Sequence, residues 1–363
     1  MKKAIESRVE VRKHLAEGVE PAVNSQSSIV NRQSSIANGQ SSIANGQSSI
    51  ANGQSSIANR QSSIVNRVDD QLRLDLLREA LPYIQRFKGQ TFVVKLSGKA
   101  TENRANLMSL AEELALLYQV GIRLCVVHGG GKQLSELADR MGIEQTIIDG
   151  RRVTDDATLE MAKMVFAGKI NTDILSALRN RGVEAVGLSG VDGNIVHAER
   201  RPPKQVLNRE TGERAEVDFG HVGDVVEINS RLLSVLLDQG YLPVVSSLGA
   251  DAEGTVFNIN ADTIAAEIAI QLKAEKLILL SDVDGLYLKS KDPQTKLSRL
   301  TAGEAESMIT QGTATGGMIP KLQSITELLR RGVHAAHIIS GTNRNALLSE
   351  IFTDKGTGTM IVE

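Results

Sequence analysis

Apolar residues fall into two rhythms along this chain. Short runs at Thr91 to Leu96, Arg123 to Val127, Ala185 to Leu188, Leu242 to Ser246, Leu277 to Leu280 and Ala336 to Ile339 read as buried strands. Between them, apolar side chains recur three and four places apart: Leu134, Leu137 and Met141; Ala265, Ile268, Ala269 and Leu272; Leu322, Ile325 and Leu329. That spacing predicts helices. Most of the strands end at turns that carry glycine, and strands alternating with helices predict an α/β fold, an open and mainly parallel sheet sandwiched by helices. Ligands of such sheets gather at the carboxyl ends of the strands, where the polar motifs of this chain lie.

The first part of the chain reads differently. Residues 26–67 repeat Gln-Ser-Ser-Ile-(Ala/Val)-Asn-(Gly/Arg) six times, starting at Gln26, Gln33, Gln40, Gln47, Gln54 and Gln61. Each unit offers one Ile beside an Ala or Val, with no second apolar position to make a coiled-coil seam. Ser, Asn and Gly are weak helix formers. Residues 1–67 are therefore expected to be a largely disordered low-complexity tail, dispensable for chemistry. Leu77, Ala80, Leu81, Ile84 and Phe87 then predict an amphipathic helix from Asp70 to Phe87, kinked at Pro82.

Composition narrows the function. With 41 basic and 43 acidic side chains and no Lys/Arg-dense block, there is no electrostatic footprint for nucleic acid or an anionic membrane. A single cysteine, Cys125, excludes an intrachain disulfide and a thiolate metal cluster, which suits a reducing cytoplasm. No signal peptide or membrane span is visible, and no metal-ligand spacing occurs.

Six motifs carry candidate chemistry. Lys95 interrupts an otherwise buried run ahead of Ser97-Gly98, which is costly unless its ammonium reaches solvent or an anion. His128-Gly129-Gly130-Gly131 exposes backbone N–H groups where a helix starts, a ready anion site. Asn258-Ile259-Asn260-Ala261-Asp262 opens another helix, and Ser281-Asp282-Val283-Asp284-Gly285-Leu286-Tyr287 is a polar turn after a strand. Gly316-Gly317-Met318-Ile319-Pro320-Lys321 places a lysine at a helix N-terminus, against the dipole, a conflict that a bound anion removes. Arg152, in Gly150-Arg151-Arg152-Val153-Thr154-Asp155, adds a guanidinium fork for a carboxylate.

Walker and dinucleotide spacings are both missing. Together the motifs read as a phosphate site of glycine amides and two lysines, Lys95 and Lys321, tied by Asp262. No histidine occupies an evident base position. That fits a carboxylate nucleophile, ionised already at neutral pH because its pKa is about 4.3. Phosphoryl transfer to it needs alignment and charge screening more than proton abstraction.

From Val68 to Glu363, these motifs in this order resemble the amino-acid kinase family, in its branch that phosphorylates N-acetyl-L-glutamate for arginine biosynthesis. Glu79-Ala80-Leu81-Pro82-Tyr83-Ile84 and Gly187-Leu188-Ser189-Gly190 belong to the match. The resemblance implies a cytoplasmic enzyme with ATP as co-substrate and Mg2+ on the nucleotide. Lys95 and Lys321 would contact the transferring phosphoryl group, and Asp262 would hold both ammonium groups. Gly98, Gly130 and Gly131 would donate backbone hydrogen bonds, while Arg152 and Asn258 would bind the acyl amino acid. The turn with Ser281, Asp282, Gly285 and Tyr287, together with Gly317, would line the nucleotide site.

Residues 68–88 would be an oligomerisation helix of a homo-oligomer, dimer or hexamer. Residues 89–363 would be the kinase domain, with an acyl-amino-acid lobe at about 89–250 and an ATP lobe at about 251–363. Three departures stand out. Ser97-Gly98 replaces the usual Gly-Gly, Arg151 replaces an apolar residue, and Ser340-Gly341-Thr342 replaces the Asp-Gly-Arg of arginine-regulated members. Glu350 and Gly356 to Thr359 keep their pattern, so L-arginine stays a candidate effector. Two other readings stand beside this one: a sibling kinase of another N-acylated or carrier-linked amino acid, and a catalytically silent arginine-binding or scaffold subunit.

Overall fold

The computed structural model describes residues 74–148, 151–207, 214–288, 292–313, 318–354 and 356–363, with the isolated positions 38, 40 and 72. The chain divides into two units, Met1–Leu77 and Arg78–Glu363. The heptapeptide repeat, apart from positions 38 and 40, lies outside the described residues. Residues 74–77 close the first unit as helix and residues 78–87 open the second, without interruption at Pro82. Leu74, Leu76, Leu77 and Leu81 are exposed.

The second unit is built on an eight-stranded sheet of β1 (Thr91–Leu96), β2 (Arg123–His128), β3 (Ala185–Ser189), β4 (Leu242–Ser246), β5 (Lys276–Ser281), β6 (Arg299–Thr301), β7 (Ala335–Ser340) and β8 (Thr359–Val362). Their order is β6-β8-β7-β5-β1-β2-β4-β3. All neighbours run parallel except β7 and β8. Helices α1 (Arg104–Gln119), α2 (Gly131–Met141), α3 (Asn171–Asn180), α4 (Ala261–Gln271), α5 (Met318–Arg330) and α6 (Ala346–Phe352) supply the layers that matter for the site.

Period-two alternation decides which layer each strand residue enters. Phe92, Val94 and Leu96 of β1 join a core with Leu110, Leu114, Ile174 and Leu347, from α1, α3 and α6. Val93 and Cys125 point the other way, into a core with Ile264, Ala265 and Ile268 of α4. Leu322, Ile325 and Leu329 of α5 form a third cluster against Ala336 and Ile338. Cys125 is wholly buried, and burial pushes its thiol up to about 12. It is an inert core residue.

Four strands outside the main sheet, Val196–Arg200, Gly223–Ile228, Leu248–Ala250 and Val256–Asn258, form a second sheet that delivers Asn258 to the start of α4. Asp156–Ala162 leads through a π-helical stretch, Lys163–Ile170, into α3. Wide π turns are uncommon and tend to mark functional places.

Candidate active site

Lys95 follows Val93 in the alternation of β1, so its side chain leaves the sheet toward α4. There its ammonium lies 2.7 Å from Asp262 Oδ1. Asp262 sits in the first turn of α4, where the helix dipole favours a carboxylate. Asn260 caps that helix, its side chain accepting the Asp262 amide at 2.7 Å. The capping duty thus falls to Asn260, and the Asp262 carboxylate is left to the lysine. The Lys95 side chain is 17% exposed and that of Asp262 54%, so an apolar stem is buried while the charged heads stay at the surface. Lys321 is the fourth residue of α5. Its side chain, and Gly317 before the helix, lie outside the described residues.

The glycines after β2 divide into two roles. A Cβ on Gly130 would fall 2.6 Å from Phe166 Cδ1 and would also strike Ile170, both on the π-helical stretch. Gly130 is therefore demanded by packing. A Cβ on Gly131 would meet nothing within 4 Å, so the space beside this first residue of α2 is open to a ligand approaching its amide. His128, just before, is buried and engaged at both nitrogens. Nδ1 donates to the Gly129 carbonyl at 2.9 Å, and Nε2 accepts from Asn171 Nδ2 at 3.2 Å. Burial holds its pKa down to about 4, so the ring is neutral and supports structure. Asn171 Nδ2 also reaches Leu188 O at 3.2 Å and Val244 O at 3.0 Å, tying the ends of β2, β3 and β4 together.

Arg152 is brought to this turn. Its Nη2 donates to Gly131 O and to Ser135 Oγ, each at 2.8 Å. Its Nη1 is buried with no partner, and burial pulls its pKa below the usual arginine value. An orphaned cationic N–H costs free energy that an incoming carboxylate would recover. Asn258 donates to Thr154 Oγ1 at 3.1 Å, and its amide donates to His221 O at 2.9 Å.

The residues expected on the nucleotide side lie at the ends of β1, β5 and β7. Gly98 O accepts from Gln133 Nε2 at 3.2 Å, and a Cβ on Gly98 would only touch Lys132 Cβ at 3.7 Å. Packing would therefore admit a side chain there. Ser97 is buried; a Cβ on Gly341 would come within 2.7 Å of its Oγ. The Gly341 amide donates to Ser281 O at 2.8 Å. Asp282 pairs with Lys99 at 3.4 Å. The Tyr287 hydroxyl donates to Asp284 at 2.6 Å, which pushes the phenol up to about 12, and Lys296 reaches the same carboxylate at 3.1 Å. These bonds hold Asp284 below the usual carboxylate range and brace the turn. At Gly285, φ is +145°, and a Cβ would lie 2.9 Å from Lys296 Cε and Thr359 Oγ1. Among the described residues no group of three or more His, Cys, Asp or Glu gathers to hold a metal.

The structure adds residues that sequence reasoning did not single out. Lys99 stands one place after Gly98. Lys132 stands one place after Gly131 and pairs with Glu102. Their signal was proximity to the glycine turns. Asn171, in the run Lys169-Ile170-Asn171-Thr172-Asp173, carries no local signal of its burial. Lys276 Nζ lies 2.9 Å from His337 Nε2, and His337 Nδ1 lies 2.7 Å from Glu350 Oε1. The other Glu350 oxygen accepts the amides of Thr357 and Gly358 at 2.7 and 2.8 Å. Burial pulls Lys276 down to about 8.

Among the described residues no helix is long and apolar enough to cross a membrane. Residues 90–340 match the profile of the Amino acid kinase family. The chain is 47% identical over 289 residues to the acetylglutamate kinase of Methanocaldococcus jannaschii, covering 80% of this chain and 96% of that protein. It is 48% identical over 297 residues to the acetylglutamate kinase of Symbiobacterium thermophilum, covering 81% of this chain and 100% of the other. Among solved structures, the N-acetylglutamate synthase of Neisseria gonorrhoeae, complexed with coenzyme A and N-acetyl-glutamate, superposes with a TM-score of 0.67 at 32% identity. That match covers 80% of this chain and 63% of the synthase, so the synthase has further length that this chain does not match. The same synthase with coenzyme A and L-arginine gives 0.65 at 31%, covering 80% and 65%.

Proposed function

Because this chain belongs to the amino acid kinase family, alongside the acetylglutamate kinases it matches over nearly their whole length, we propose the following division of labour for its reaction. The reaction is ATP-dependent phosphorylation of the side-chain carboxylate of N-acetyl-L-glutamate, giving an acyl phosphate. The observation that carries the assignment of roles is the Lys95 ammonium held 2.7 Å from Asp262 above the ends of β1 and β2.

Lys95 and Lys321 contact the transferring phosphoryl group and screen its charge from the incoming carboxylate, with Asp262 as their common anchor. The open amide of Gly131 and the unpaired Nη1 of Arg152 receive the acyl amino acid, with Asn258 beside them. The neutral, fully engaged His128 is unsuited to act as a base, and an ionised carboxylate needs none. Alignment and preorganised positive charge then supply the rate enhancement. The nucleotide lies along Gly98 and the turn from Ser281 to Tyr287, with Gly317 at the head of α5. Magnesium would come bound to its phosphates.

Residues 89–250 supply the acyl-amino-acid lobe and 251–363 the ATP lobe. The exposed Leu74, Leu76, Leu77 and Leu81 fit burial in a homo-oligomer, dimer or hexamer. L-Arginine is the candidate effector: one matched synthase structure carries it, and Glu350 with Gly356 to Thr359 keeps the regulated pattern. A reaction that consumes ATP, on a chain whose one thiol is buried, suits the cytoplasm. The test is trapping of the acyl phosphate by hydroxylamine. The purified chain with MgATP and N-acetyl-L-glutamate should give an ATP-dependent hydroxamate, and none at saturating substrate would refute the assignment.

A further inference from the structure

Lys99 is the ammonium that the two-lysine account leaves out. It follows Gly98 directly in the turn after β1, and its Nζ lies 3.4 Å from Asp282 Oδ2, in the turn after β5. The two strands are parallel neighbours, so this pair bridges the gap across which the nucleotide tail is proposed to lie. Both side chains are about half exposed, 48% and 55%. An ion pair so exposed is worth only about 0–1 kcal/mol, so exchanging it for a charge-assisted contact with a phosphate costs little.

The surroundings leave the lysine free to make that exchange. The backbone of the turn is fixed without its side chain: Lys99 O accepts Asn106 Nδ2 at 3.3 Å and the Glu102 amide at 3.3 Å. Lys132, across the turn, has its own partner in Glu102, and Asp282 also acts on Lys132 electrostatically. Charges of alternating sign, Lys95 with Asp262, Lys99 with Asp282 and Lys132 with Glu102, therefore rim the ends of β1, β2 and β5. Asp262 neutralises one of the two recognised lysines, and Lys296 is held in the turn by Asp284; Lys99, on the facing strand end, reaches that turn only through the exposed Asp282.

We propose that Lys99 is a third phosphate-binding ammonium, tethered by Asp282 in the free enzyme and transferred to the nucleotide phosphates when ATP enters. This rests on the ATP-dependent reading of the site. Lys99 acts on nucleotide affinity, whereas Lys95 and Lys321 act on the transferring group.

The experiment compares the full chain with Lys99→Met, which keeps the stem and removes the charge, and with Lys99→Arg, which keeps the charge. Steady-state hydroxamate formation gives KM for ATP and for N-acetyl-L-glutamate, and binding of a non-hydrolysable ATP analogue gives affinity without turnover. The expected result for Lys99→Met is a rise of about tenfold in both the KM for ATP and the analogue Kd. Its kcat should stay within about threefold, and its KM for the acyl amino acid should not change. Lys99→Arg should recover most of the affinity.

A purely structural staple would instead lower the melting temperature and leave the ATP-specific split absent, which would overturn the proposal. So would a Lys99→Met variant whose nucleotide affinity stays within twofold of the parent. If the parent chain itself binds no nucleotide and forms no hydroxamate, the kinase reading falls and this inference falls with it.

Discussion

Lys95→Met separates catalysis from folding at the center of the site. The substitution keeps most of the buried stem and removes the ammonium that pairs with Asp262. Because the Asp262 side chain is 54% exposed, water replaces the lost partner and the folded state loses at most about 1 kcal/mol. For a domain of this size that is a fall of no more than about 2–4 °C in Tm. The transition state loses far more. A preorganised charge aimed at developing negative charge is worth about 2.7–4 kcal/mol, or 10²–10³ in kcat. Hydroxamate formation at saturating ATP and N-acetyl-L-glutamate, beside a thermal melt, reads both quantities. A kcat within tenfold of the parent would refute the phosphoryl-contact role, and a large drop in Tm would mean that the lysine holds the fold.

The two neighbouring glycines should respond oppositely. Gly130→Ala forces a methyl group to within 2.6 Å of Phe166 and should destabilise by about 1–3 kcal/mol, seen in denaturant melts. Gly131→Ala should fold normally, because its Cβ enters open space, yet raise the KM for the acyl amino acid by filling that space. Acidification should also weaken the fold through His128. Its folded pKa is about 4 against 6.5 for a free imidazole, so the unfolded chain binds the extra proton between those values. Stability contributed there is complete above pH 6.5 and falls as pH drops toward 4, by up to about 3 kcal/mol at 1.36 kcal/mol per unit. Melts across pH 4–7 should show a shallower slope for His128→Gln than for the parent.

Much of this arrangement is legible in the amino-acid sequence. The six strands read from apolar runs all occur, each within a residue of its expected ends, because buried parallel strands have little choice but continuous hydrophobicity. Strands β6 and β8 and the second sheet were not foreseen. Most are short, and exposed polar residues such as Arg299, Glu199, Arg200 and Glu227 blur the period in some of them. Lys95 was legible because a lysine breaks an otherwise buried run, whereas Asp262 is an ordinary acid in a first helical turn and stood out only in company with the other motifs. That Gly130 is fixed by packing while Gly131 borders open space was not legible, since both look alike as letters. The distinction comes from Phe166 and Ile170, roughly forty residues away in sequence, on a π-helical stretch that no local pattern announces.

The position of β1 between β5 and β2 has a consequence for how such a molecule can change over time. One lysine strand is flanked on one side by a segment encoded late in the chain and on the other by one encoded early. On the proposed division of lobes, genetic variation that reshapes the early segment would retune which acceptor fits while the purine-handling half stays intact. Divergence toward new acceptors therefore has a route that leaves the shared phosphoryl donor untouched.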